Sequence, residues 1–240
     1  MAPTPTIRLD AAALATTSPI LPHQQAAWNW LQEQLTEHEV AEFAELFRAD
    51  PAPKEPLIPK AANPLTGFPW FPQLDNGPEG WRQCQSSSLA MCLAYLGVGG
   101  IRDDLDYVKV VKRYGDTTSQ AAHQQALKAL GVKARFVQNC TASQAQAEIR
   151  AGLPLCMGVL QDGPVTAPTG GGHWIPCYGF DATNGGSWIV NDPFGEINLV
   201  AGGWSRIGEG SGRGQRYSYR NLNPRWLVEG PASGWAWLFS

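Results

Sequence analysis

Three short apolar runs follow one another with nothing but loops between them: PLCMGVL (154–160), HWIPCYGF (173–180) and SWIVND (187–192). Each has the length of a strand, favours branched and aromatic residues, and ends at a turn containing glycine, proline or asparagine. The segments ahead of them repeat at helical spacing instead. Helices first and adjacent strands afterwards point to an α+β domain with an antiparallel sheet, not to a repeating βαβ unit.

Behind Cys84, the residues Leu89, Cys92, Leu93 and Leu96 form one apolar helical face, which Gly97 stops. A second helical segment runs from about Ser119 to Leu130, ends at Gly131, and feeds a strand over VKARFV (132–137). Thr141 with Gln144 fits a capping box, opening a helix that ends near Gly152. Residues 161–172, between the first two apolar runs, form a Gly/Pro/Thr loop.

The N-terminal quarter differs in composition. Residues 1–22 are rich in Ala, Thr and Pro, whereas Trp28, Leu31, Leu35, Val40, Phe43, Leu46 and Phe47 recur at helical spacing within His23–Ala49. A break near Thr36, with Glu39 three residues on, predicts two short helices. DPAPKEPLIP (50–59) has four prolines in ten positions and reads as a linker. The expected division is an extension over 1–60 and a main domain over 61–240.

A formal net charge of −3 gives no global reason to expect nucleic-acid binding. No 18-residue apolar stretch is present, so no membrane segment is expected. The start of the chain lacks a basic leader followed by an apolar run, and so predicts synthesis as a soluble protein without a standard secretion signal. The five cysteines are odd in number and contain no C-x-x-C pair. A disulfide scaffold or a zinc knot is therefore not expected, nor is any metal or cofactor.

A nucleophilic cysteine needs its thiolate, and a helix start favours that charge while offering unpaired N–H groups to an oxyanion. Cys84 sits at such a start; Cys92 lies on the apolar stripe, where a thiol is a small hydrophobe. Of the four histidines, only His173 opens a strand, directly after Gly170, Gly171 and Gly172. If the strands beginning at His173 and Ser187 are hairpin partners, Asp192 at the end of the second reaches His173 at the start of the first. Asn191 is the other polar residue there. Gln73, eleven residues before Cys84, is a candidate oxyanion donor.

FPQLDNGPEGWRQCQSSSLAMCLAYLG and GGGHWIPCYGFD…WIVNDPFG, within residues 68–200, resemble the C39-like branch of the papain-like cysteine peptidases. The resemblance implies a nucleophile at Cys84, a general base at His173, an orienting acid at Asp192 and an oxyanion glutamine at Gln73. It also implies the papain-like fold, in which the nucleophile heads a central helix packed on an antiparallel sheet. Gln85 stands where many relatives have glycine, and no ATP-binding segment follows, which argues against leader trimming coupled to export. AAWNWLQEQL…EFAELFR, GPVTAPTGGGHW and NPRWLVEG resemble C39-like proteins of cyanobacteria and their phages. That implies a peptidase with access to the cell wall or to a phage particle, and substrates among the stem or cross-bridge peptides of peptidoglycan.

Two other readings stand beside the enzyme. One is a catalytically silent module that binds a peptide or cell-wall glycopeptide in the same cleft. The other rests on residues 204–226, whose five arginines, with Tyr217, Tyr219 and Trp226, suit a polyanion. The plainer expectation for that segment is a solvated loop followed by a closing strand, with its arginines at most forming a rim for acidic peptides.

Overall fold

The computed structural model describes residues 63–208 and 210–239. The expected N-terminal helices, the linker and the boundary at residue 60 lie outside them. Among the described residues the strands are β1 (Ala134–Cys140), β2 (Leu155–Val159), β3 (His173–Asp181), β4 (Ser187–Val190), β5 (Gly195–Ile197), β6 (Trp204–Ile207), β7 (Gln215–Ser218) and β8 (Gly234–Phe239). Six form one sheet in the order β1-β8-β2-β3-β4-β7, every neighbouring pair antiparallel, and β5 pairs with β6 in a separate ribbon.

The sheet is buried on both faces, which is why its central strands read as nearly unbroken apolar runs. Leu155, Met157 and Val159 of β2, Ile175 and Cys177 of β3, and Ala236 and Leu238 of β8 enter one core. Their alternates Cys156, Trp174, Trp237 and Phe239 enter the other. The second core is covered by α1 (Cys84–Tyr95), α2 (Asp104–Val111) and α3 (Gln120–Ala129). The first is covered by α4 (Ala142–Arg150) and α5 (Tyr219–Trp226). This is the α+β, papain-like arrangement that the resemblance implies.

The helix headed by Cys84 departs from the expected single apolar face. Every residue from Gln85 to Leu93 is buried, while Leu96 is only partly so. Full burial of Leu89 and Leu93 stabilises the fold by about 2 kcal/mol each. The polar side that faces protein consists of small hydroxyls. Ser88 Oγ donates to the Trp174 carbonyl at 2.8 Å, and Ser87 Oγ donates to the Asp104 carboxylate. Asp104 also accepts from Asn76 Nδ2 at 2.7 Å, so α1, α2 and the loop preceding Cys84 meet at one carboxylate.

Other capping expectations hold: Thr141 accepts from the Gln144 N–H, and Gly97, Gly131 and Gly152 adopt φ of +71°, +71° and +86° at helix ends. Three details differ. Helix α2, capped by Asp103, was not predicted; β1 begins two residues later than VKARFV and runs to Cys140; and residues 204–226 are not a solvated loop. They supply β6, β7 and α5, and the strand that follows them, β8, lies inside the sheet between β1 and β2.

His123 is a structural histidine. It is fully buried, its Nε2–H donates to the Thr117 carbonyl at 2.9 Å, and Tyr107 donates its hydroxyl to Nδ1 at 3.1 Å. Burial lowers its pKa to about 4, only partly opposed by the Thr117 bond and Asp116. The neutral ring therefore stabilises the fold fully above pH 6.5, and that stability is lost as pH falls towards 4. Urea unfolding at pH 7 and pH 5 should differ by about 2 kcal/mol more in the native protein than in His123→Gln. Equal pH slopes would remove His123 as the source.

Candidate active site

Cys84 is the first residue of α1, preceded by Gln83 as N-cap with no side-chain cap. The first intrahelical bond that closes at this end is Ser87 N–H to the Gln83 carbonyl at 2.9 Å. The N–H groups of the first turn thus face the thiol without an intrahelical partner. Cys84 is also the only cysteine of the five that is not buried. Burial pushes the other thiols up, Cys140 to about 11 and Cys177 to about 12, with Cys92 and Cys156 likewise raised. Geometry separates Cys84 from Cys92 on one helix.

His173 opens β3 after Gly170 and Gly172, whose φ values of +117° and +90° suit glycine alone. Its Nε2 bonds to Asp192 Oδ1 at 2.8 Å, both side chains buried. Nδ1 is the nitrogen that Asp192 leaves free, and Cys84 lines the same cleft as the ring. Burial on its own would lower this pKa. The Asp192 charge and hydrogen bond, with smaller help from Cys84, outweigh burial and raise it to about 10. The imidazolium is the favoured form at neutral pH.

The hairpin expectation holds: β3 pairs with β4 from Asp181↔Ser187 to Cys177↔Val190, and the chain continues past β4 to Asp192. Asp192 Oδ1 also accepts from the N–H groups of Phe194 (3.1 Å) and Gly195 (3.4 Å). Tyr217, whose hydroxyl accepts from the Ile197 N–H at 2.8 Å, donates its proton to Asp192 Oδ2 at 3.3 Å. Asn191 is turned elsewhere, donating to the Pro69 carbonyl and accepting from the Gly214 N–H. The choice between Asn191 and Asp192 falls to the aspartate.

Gln73 is fully buried and tied to the same turn, its backbone N–H donating to the Pro193 carbonyl at 2.9 Å. Its Nε2 donates to the Gly80 carbonyl at 2.8 Å, while its Oε1 has no partner. Gly80 must lack a side chain here, because a Cβ would stand 2.3 Å from the Gln73 carbonyl oxygen. No hydrogen bond joins Gln73 to Cys84, and Gln73 is not among the residues that line the cleft.

That cleft, of about 640 Å³, has Cys84 and His173 in its wall and is large enough for a few residues of an extended ligand. Three features in the wall or behind it were not anticipated. Gln85 and Gln120 exchange amide hydrogen bonds of 2.7 and 3.3 Å. Trp204 stands edge-on to His173 with ring centres 4.9 Å apart, backed by Phe194 at 4.5 Å. Arg225, fully buried, directs its N–H groups to the carbonyls of Leu160, Asp162, Gly163 and Leu199 at 2.8–3.0 Å. Tyr217, Trp204 and Arg225 all lie in the arginine-rich stretch, where composition drew attention to charge and hid the packing. Arg206 and Arg216 pair with Glu196 and Asp181, so three of the five arginines are engaged within the protein.

Among the described residues there is no cluster that could hold a metal ion, and no helix is long and apolar enough to cross a membrane. The model of the family described as Peptidase_C39 like family matches residues 65–207. Among solved structures, a C39-like peptidase from Bacillus anthracis is similar at 16% identity and a TM-score of 0.49, over 72% of this chain and 94% of that one. The peptidase domain of Streptococcus ComA, a bi-functional ABC transporter involved in a quorum-sensing pathway, is similar at 18% identity and a TM-score of 0.43, over 72% and 98%. No curated protein matches the chain.

Proposed function

The chain belongs to the Peptidase_C39 like family and is a cysteine peptidase, and from that premise we propose that Cys84, His173 and Asp192 perform its hydrolysis of peptide amides, with Gln73 as an oxyanion donor. The observation that supports this most is the buried His173–Asp192 bond of 2.8 Å, which leaves Nδ1 free in a ring that lines the same cleft as the thiol at the head of α1.

In this mechanism the imidazolium of His173 already holds on Nδ1 the proton that Cys84 gives up, and the thiolate adds to the substrate carbonyl. The Cys84 N–H holds the oxyanion; the second Nε2–H of Gln73, not used by Gly80, is the other donor. Imidazolium then protonates the leaving amine as the C–N bond breaks. A water deprotonated by His173 attacks the thioester and returns the thiol. Asp192 holds the ring in this tautomer and stabilises its cationic form. Stem and cross-bridge peptides of peptidoglycan belong among the substrates to assay, on the resemblance set out above.

Iodoacetamide near neutral pH should label Cys84 at least about tenfold faster than the other cysteines, and His173→Ala should remove the advantage. Because His173 titrates near 10, turnover should hold through neutral pH and fall as the imidazolium deprotonates around that value. Equal, slow labelling of all five thiols would instead favour the silent binding module.

A further inference from the structure

We infer that the cleft contains a subsite for one bulky apolar side chain of the substrate, aromatic in preference to aliphatic, built on Trp174 and Trp235. The inference deepens the peptidase reading and rests on it for the word substrate. Gly158 of β2 faces Trp174 of β3 on one side and Trp235 of β8 on the other. Residues directly opposite in antiparallel strands share a face, so the two indoles flank a position that has no side chain. The absence matters, because a Cβ on Gly158 would stand 3.1–3.2 Å from the Trp174 ring. Trp174 therefore lies across β2, and the adjoining row, Val159↔His173, holds the imidazole.

Phe136 supports both indoles edge-on, with ring centres 6.0 Å from Trp174 and 5.6 Å from Trp235. Trp235 nevertheless remains 46% exposed, and with Gly158 and Trp174 it lines the same cleft as Cys84. A rigid indole held against other rings and left open to a cleft is a surface for apolar contact. The cleft is also lined by uncharged polar groups, the Gln85–Gln120 amide pair with Thr117 and Thr118. Amides and hydroxyls suit the backbone of an extended peptide.

The charges nearby argue against an acidic side chain in this position. Arg82 is paired with Asp116 at 2.9 Å, Arg225 is bound to carbonyls, and the exposed charge left on the rim is Glu229. Of the arginines of residues 204–226, Arg225 alone lines this cleft, with its guanidinium bound to carbonyls.

The test needs no knowledge of the natural substrate. Two chloroacetamides, N-methyl and N-(2-phenylethyl), each alkylate a thiolate by forming a C–S bond and releasing chloride. In the native protein the phenylethyl reagent should label Cys84 about tenfold faster than the methyl one. Trp235→Ala should bring that ratio to about one, and Trp235→Phe should restore most of it. A native ratio near one, or a ratio that survives Trp235→Ala, overturns the subsite. The methyl rate separately reports the nucleophile: if it is no faster than for an ordinary thiol, the peptidase assignment of Cys84 fails, while the ratio still decides the subsite.

Discussion

Replacing Cys84 with alanine is expected to lower peptide hydrolysis by about 10⁴-fold or more and to leave stability within about 0.5 kcal/mol of the native protein. The two effects separate because Cys84 is only partly buried and heads its helix. Removing its sulfur opens no closed cavity, yet it removes the atom proposed to form the acyl-enzyme. Cys92→Ala should give the reverse. That thiol is sealed in the core between the sheet and α1–α3, so its loss should cost about 1–2 kcal/mol and spare the turnover of the folded fraction. Product formation from a mixed peptide library and from purified peptidoglycan, read by mass spectrometry beside urea unfolding, checks both variants. Full activity in Cys84→Ala would remove the thiol from the mechanism.

The second large effect is expected at Arg225. Arg225→Leu removes a donor from four carbonyls and leaves those of Leu160, Gly163 and Leu199 unpaired, while Asp162 keeps the Thr169 N–H at 2.8 Å. Each buried carbonyl left unpaired costs about 1–3 kcal/mol. Two terms reduce the sum: the loop can readmit water, and burying a cation is itself unfavourable. A net loss of about 4 kcal/mol in urea unfolding is the expected result. Arg225→Lys should recover little, because an ammonium cannot reproduce the planar fork that reaches several carbonyls at once. Three of those carbonyls belong to the segment leading from β2 into the loop before His173, so surviving protein should also show a lower rate of Cys84 labelling. A loss below about 1 kcal/mol would mean that water replaces the guanidinium without difficulty.

The central strands were legible because both faces of the sheet are buried and their apolar runs cannot be mistaken for solvated loops. Helix ends were legible because Ser119 and Thr141 cap locally and glycines close the other ends. Helix α2 escaped notice because it is only eight residues long and begins with acidic side chains, which dilute its apolar spacing. Segment 204–226 was misread for a different reason. Its arginines and glycines resemble a solvated loop, while what orders it is long-range: Tyr217 beneath Asp192, Trp204 against His173, and Arg225 on distant carbonyls. At the site, Cys84, His173 and Asp192 could be found from helix starts and hairpin geometry. Gln73 had only its place eleven residues before Cys84 and the resemblance to single it out, and its hydrogen bond to Gly80 belongs to packing that no local pattern records.

The position of β8 has a consequence for the life of the chain before it is complete. Residues 234–239 pair with β1 on one side and β2 on the other, so the sheet's interior is filled by its last strand in sequence. A chain still on the ribosome carries Cys84, His173 and Asp192 well before it carries that strand. Until then β1 and β2 have no neighbour in common, and both present open edges inside what will become the core. The three residues of the candidate site are thus translated early but organised late. The nascent form depends on protection from edge-to-edge association until synthesis passes residue 239.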